Sequence, residues 1–110
     1  KYAPQVESPA IARVIPSPTK GGETKLVLSQ RYIMPTDRVV IVDDFLSNGR
    51  TAVALIEMAR EAGAEVLCAS FIVEKRFKHG HATIEALGVP VCTLAQVEAL
   101  ENGLVRLTQP

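Results

Sequence analysis

Arg38-Val39-Val40-Ile41-Val42-Asp43-Asp44-Phe45-Leu46-Ser47-Asn48-Gly49-Arg50-Thr51 constrains the fold of this chain more than any other stretch. Val39 to Val42 is wholly apolar and β-branched, the pattern of a strand buried on both faces of a parallel sheet. Two aspartates follow at its carboxyl end, where open α/β sheets place their ligands. Ser47-Asn48-Gly49 then opens a helical pattern, so backbone N–H groups and the positive end of a helix converge on one spot. Such a spot suits an anion, phosphate above all. Carboxylates beside it would repel a bare phosphate and suit hydroxyls or a hydrated cation, so a sugar phosphate meets the demands together.

The helix is the clearest in the chain. From Arg50 to Ala62, Ala52, Leu55, Ile56 and Ala59 recur at spacings of three and four, with Glu57, Arg60 and Glu61 turned elsewhere. Ser47 or Asn48 is the expected cap and Gly63 the left-handed stop. Val66 to Val73 is a second apolar strand. One helix between two strands makes a right-handed βαβ unit, so the strands are parallel.

The stretch from Arg38 to Thr51 resembles the phosphoribosyl-diphosphate (PRPP) signature of the type I phosphoribosyltransferases: an apolar strand, two acids and a phosphate loop running into a helix. Many of those enzymes carry Thr-Gly in the loop. The Asp-Asp-Phe-Leu-x-Asn-Gly form found here is similar to the xanthine phosphoribosyltransferase branch. The resemblance implies an α/β fold, a parallel-sheet core of Rossmann-like type with a β-hairpin flap. It implies transfer of ribose 5-phosphate from PRPP to an oxopurine, with release of diphosphate and magnesium bound alongside PRPP. Asp43 and Asp44 would stand by the ribose hydroxyls as the catalytic pair, with no direct metal ligation beyond contacts through water. Ser47, Asn48, Gly49, Arg50 and Thr51 would hold the 5′-phosphate, although the xanthine enzymes commonly have an uncharged residue where Arg50 stands. Lys75, after the second strand, matches a lysine that contacts the purine. An ammonium only donates, so it suits the carbonyl of an oxopurine rather than the amino group of adenine. Lys1 would be the surviving member of a basic pair in the diphosphate loop.

At 110 residues the chain fits one domain, and it reaches the signature strand with no earlier βα unit. The resembling enzymes are longer, so the expectation is a partial domain, the carboxyl-terminal part, with residues 1–30 forming a loop and flap and residues 38–110 the core. Ala10 to Ile15 and Lys25 to Leu28 read as the flap's strands around a Gly-Gly turn. The intervening Lys20-Gly21-Gly22 lacks the spacing of a nucleotide-binding Walker loop.

Twelve basic and twelve acidic residues cancel, which argues against a general nucleic-acid surface. Cys68 and Cys92 lie in apolar runs without CxxC spacing and read as buried thiols of a reducing compartment. No apolar run is long enough to span a bilayer. A soluble, cytoplasmic homodimer is the expectation. His79 and His81 form a His-x-His pair, but the neighbouring lysines disfavour a metal there. Phe45 suits either a stacked base or a core contact. Beyond the second strand, Glu74 to His81 reads as a solvated charge cluster. Next come a helix from about His81 to Leu87, an edge strand Pro90 to Leu94, a short helix Ala95 to Glu101 and a last strand Leu104 to Leu107. Two rival functions remain: a PRPP-sensing purine-operon regulator with the same fold, and an adenine or pyrimidine enzyme.

Overall fold

The computed structural model describes residues 10–16, 22–101 and 104–107. Strand β1 (Ala10–Pro16) and strand β2 (Glu23–Ser29) form an antiparallel hairpin, Ala10 opposite Ser29 and Pro16 opposite Glu23. A short 3-10 turn, Gln30–Tyr32, leads to β3 (Arg38–Leu46), helix α1 (Arg50–Glu61) and β4 (Glu65–Lys75). A one-and-a-half-turn helix, α2 (Gly80–Glu85), β5 (Val91–Glu101) and β6 (Leu104–Leu107) complete the described chain. The main sheet has the order β3-β4-β5-β6, parallel except for β6.

α1 forms where the three-four spacing of apolar residues places it. Ala52, Ala54, Ile56, Met58 and Ala59 are buried against the sheet, while Glu57, Arg60 and Glu61 face solvent. Ile56 packs with Ile41, Leu46, Val66, Ala69, Phe71 and Ile84 into one core. Burying such an aliphatic side chain contributes about 1.5–3 kcal/mol. Gly63, with φ +89°, ends the helix in the left-handed region. The hairpin rests on α1 through Ile11, which is buried, and through Arg13 Nη2, 2.6 Å from Glu61 Oε1.

Four expectations need correction. β3 is not covered on both faces: Val40 is 46% exposed and Val42 71%, and the strand is the edge of the sheet among the described residues. α1 covers only one face. Residues 95–101 are not a helix but the second half of β5. Val73 pairs with Ala95 and Lys75 with Val97, and β6 pairs along the other side, so two ladders override a helix-forming composition. For the same reason β5 is an interior strand, not an edge. The cysteines are not buried: Cys68 is half-buried on β4 and Cys92 is exposed on β5. Among the described residues no helix is long and apolar enough to cross a membrane.

Candidate functional site

The loop from β3 to α1 is shaped by a glycine. Gly49 occupies the cap position with φ +82°, a conformation a side chain rarely adopts. Its carbonyl accepts from Val53 N–H at 2.8 Å, opening the helix. Neither Ser47 nor Asn48 is the cap residue; instead Asn48 Oδ1 accepts from Arg50 N–H at 3.1 Å. Gly49 is buried, Ser47 and Thr51 half-buried, Asn48 and Arg50 exposed. The loop and the first turn of a twelve-residue helix therefore sit together at the carboxyl end of β3.

Asp43 and Asp44 lie on the last turn of the strand before that loop. Asp43 Oδ1 accepts from Asp44 N–H and Asp44 Oδ1 from Phe45 N–H, each at 2.8 Å. Each carboxylate thus has one oxygen engaged by the backbone. No lysine or arginine forms an ion pair with either among the described residues, and no group of three metal-ligating side chains includes them. Partial burial, with the neighbouring Asp44 side chain adding to it, holds the Asp43 carboxyl above the ordinary aspartate range. An acid pair kept short of a counter-charge, next to a loop that opens a helix, suits a ligand that brings hydroxyls and positive charge.

Lys75 ends β4, two strand positions beyond Val73, which stands opposite Phe45. Its Nζ lies 5.9 Å from the centre of the exposed Phe45 ring. Asp43, Asp44, Phe45 and Lys75 are therefore brought to one edge of the sheet with Ser47 to Thr51. A hollow of about 320 Å³ separates β1 from the loop and is lined by Arg13, Ile15, Asn48, Gly49, Arg50 and Thr83 among others. Neither aspartate lines it, so it is a cleft between arm and loop, distinct from the open surface above the acids. Lys1 lies outside the described residues.

This architecture and loop have close counterparts. A xanthine phosphoribosyltransferase from Chloroflexus aurantiacus is 50% identical over 103 residues, 94% of this chain and 49% of the relative. Another, from Deinococcus deserti, is 47% identical over 79% of this chain and 45% of its own length. Among solved structures, the adenine phosphoribosyltransferase of Rhodothermus marinus superposes with a TM-score of 0.70 at 30% identity, over 84% of this chain and 51% of that one. This stretch is similar in sequence and in fold to phosphoribosyltransferases. The APRTase from Giardia lamblia complexed with 9-deazaadenine, at 17% identity and a TM-score of 0.74, shares the fold. No family model matches the chain. The chain spans about half the length of the curated relatives it matches.

Reading residues alone missed Glu74. It stands in a charge cluster whose composition predicts a solvated loop, yet it is 1% exposed and the one buried charged residue among those described. Strand alternation gave no signal for it, since the period from Ala69 and Phe71 leads to Val73; the available hint was a histidine seven residues later that can meet the carboxylate. His81 is that histidine, and with His79 on the exposed side the two do not converge.

Proposed function

We propose that the full-length protein transfers ribose 5-phosphate from PRPP to a 6-oxopurine of the xanthine type and releases diphosphate. The observation that carries this is the loop Ser47 to Thr51, held by a left-handed Gly49 between an unpaired acid pair and the start of α1. Residues 1–110 are read as part of one phosphoribosyltransferase domain, with residues 1–30 its arm and residues 38–110 its core. The protein is read as a cytoplasmic homodimer, on the resemblance alone.

In this reading the backbone N–H groups of the loop and the hydroxyls of Ser47 and Thr51 hold the 5′-phosphate, and the positive end of α1 faces it. Asp43 and Asp44 accept from the ribose hydroxyls with their free oxygens and favour the positive charge that develops on the ribose as the diphosphate departs. The same two oxygens fit magnesium brought in on PRPP, since that ion keeps several waters and needs few carboxylates. When bound, it neutralises the leaving diphosphate. Lys1 would meet the diphosphate. Lys75 directs its ammonium at a purine carbonyl, and Phe45 beside it offers a face for the ring.

An adenine enzyme is the second reading, because the solved structures that superpose include adenine phosphoribosyltransferases. The lysine and the curated relatives favour the oxopurine. Incubating the full-length protein with PRPP, magnesium and either xanthine or adenine decides between them. Xanthosine monophosphate and diphosphate are the expected products; exclusive formation of AMP would transfer the assignment to adenine, and neither product would remove the enzymatic reading.

A further inference from the structure

The one buried charge among the described residues lies under the candidate site rather than in it. Glu74 Oε2 lies 2.8 Å from His81 Nδ1, and Glu74 Oε1 is 3.5 Å from Thr93 Oγ1 on β5. With Glu74 ionised the carboxylate only accepts, and the contact then takes a proton on Nδ1. His81 Nε2 lies 3.1 Å from Glu85 Oε2, another acceptor. Both ring nitrogens face carboxylates, an arrangement that only imidazolium satisfies fully.

Between Glu74 and His81 the chain leaves the sheet through exposed residues 76–79 and returns at Gly80, which is buried. Gly80 N–H donates to Ser47 O at 3.0 Å. The approach is too close for any side chain. A Cβ on Gly80 would stand 2.5 Å from Ser47 O and 2.7 Å from Leu46 Cδ1, and one on Gly49 would stand 3.0 Å from Gly80 Cα. The floor of the loop at Ser47 to Gly49 is therefore the backbone of Gly80.

We propose that Glu74 and His81 are positioning residues for the phosphate loop: their contact, anchored on the buried Glu74, closes the 74–81 excursion and so holds Gly80 beneath Ser47 and Gly49. The role rests on the phosphoribosyl reading of that loop. Lys75 opens the same excursion, so one pair fixes both the floor of the phosphate loop and the residue assigned to the base. Thr93 ties this assembly to β5, which keeps the turn in register with the sheet.

Full-length His81→Phe keeps a ring of similar size and removes both N–H groups. Gly80→Ala leaves the ion pair intact and displaces the floor directly. In steady-state assays, each should raise the KM for PRPP about tenfold, the size of one lost charge-assisted hydrogen bond, and leave kcat at saturating PRPP within about twofold. Calorimetric titration with PRPP should show the same loss of affinity. A merely structural role would lower the folded fraction, and with it the apparent kcat, without moving KM. If His81→Phe fails to fold, Glu74→Leu/His81→Phe replaces the ion pair, with its buried carboxylate, by an apolar pair and carries the same test. A wild-type KM for PRPP in folded His81→Phe or in the apolar double variant overturns the positioning role while leaving the transferase reading intact. A wild-type protein that does not bind PRPP overturns the transferase reading, and this role with it.

Discussion

Two sets of carboxylates stand near the same edge of the sheet, on adjacent strands, and are treated in opposite ways. Glu74 on β4 lies opposite Leu46 of β3, is buried and has partners for both oxygens. Asp43 and Asp44, on β3 itself, are bonded only to the backbone that follows them and face no cation of the described chain. Burying a carboxylate costs several kcal/mol unless it is paired, so Glu74 is kept by its partners. Leaving two carboxylates side by side without a counter-charge is a standing cost, offset only when something else arrives. Paired charge of this kind holds structure, whereas unpaired charge at a strand end leaves carboxylate oxygens open to a ligand.

The largest effect that would test this contrast comes from neutralising one member of each set. In the full-length protein Asp44→Asn should lower kcat/KM by about 10²–10³, the usual cost of losing one preorganised contact to developing charge. Its urea midpoint should stay where it was, because an amide oxygen still accepts from Phe45 N–H. Glu74→Gln should do the reverse to stability, costing about 1–3 kcal/mol in urea unfolding as the charge-assisted bond to His81 is weakened. Should Asp44→Asn destabilise the fold while its kcat/KM stays unchanged, the aspartates are structural and the contrast collapses.

Much of this was legible in the sequence, for a local reason. β3, the loop and α1 are specified by neighbours in the chain: a β-branched run, two acids, a glycine that must take positive φ, and a three-four apolar spacing. The hairpin, too, was visible in its alternation and turn. What escaped was set by distant partners. Ala95 to Glu101 has helix-forming residues, but its strand state comes from ladders to β4 and β6. The exposure of Val40 and Val42 follows from the absence of any described element across that face. Glu74 read as one charge among many because its burial depends on α2 folding back to deliver His81.

A smaller effect sharpens the comparison on its cationic side. Lys75 follows Glu74 directly, yet its ammonium lies over the Phe45 ring and forms no salt bridge with that carboxylate. It belongs, in this reading, with the site and not with the structural pair. Lys75→Ala should lower kcat/KM for oxopurines by roughly ten- to a hundred-fold, the cost of one charge-assisted hydrogen bond, and affect any adenine activity less. Kinetics with xanthine and adenine as paired substrates measure this. Equal losses on both bases would assign Lys75 to the fold.

The smallest effect is that of pH, and it separates two groups whose pKa values are raised for different reasons. Burial pulls the His81 value down, but the carboxylates of Glu74 and Glu85 outweigh it, leaving the imidazole above its ordinary 6.5. The stability this histidine contributes is then fully present below about 6.5 and is lost as pH rises through the folded value. Deprotonated His81 still donates Nδ1–H to Glu74, but that bond loses its charge–charge attraction and the contact with the exposed Glu85 is lost. The loss should therefore stay under about 1 kcal/mol between roughly pH 5 and 9 after solvent screening. Asp43 has its value raised by burial from 3.8, without a cation to reward ionisation. With a raised value, ionising Asp43 costs the fold stability as pH rises above the unfolded value, through a group distinct from His81. Urea unfolding at several pH values should thus show a shallow fall in wild-type protein and a flat line in His81→Phe. A slope that survives in His81→Phe and vanishes in Asp43→Asn would reverse the assignment of which carboxylate is bound to its own fold.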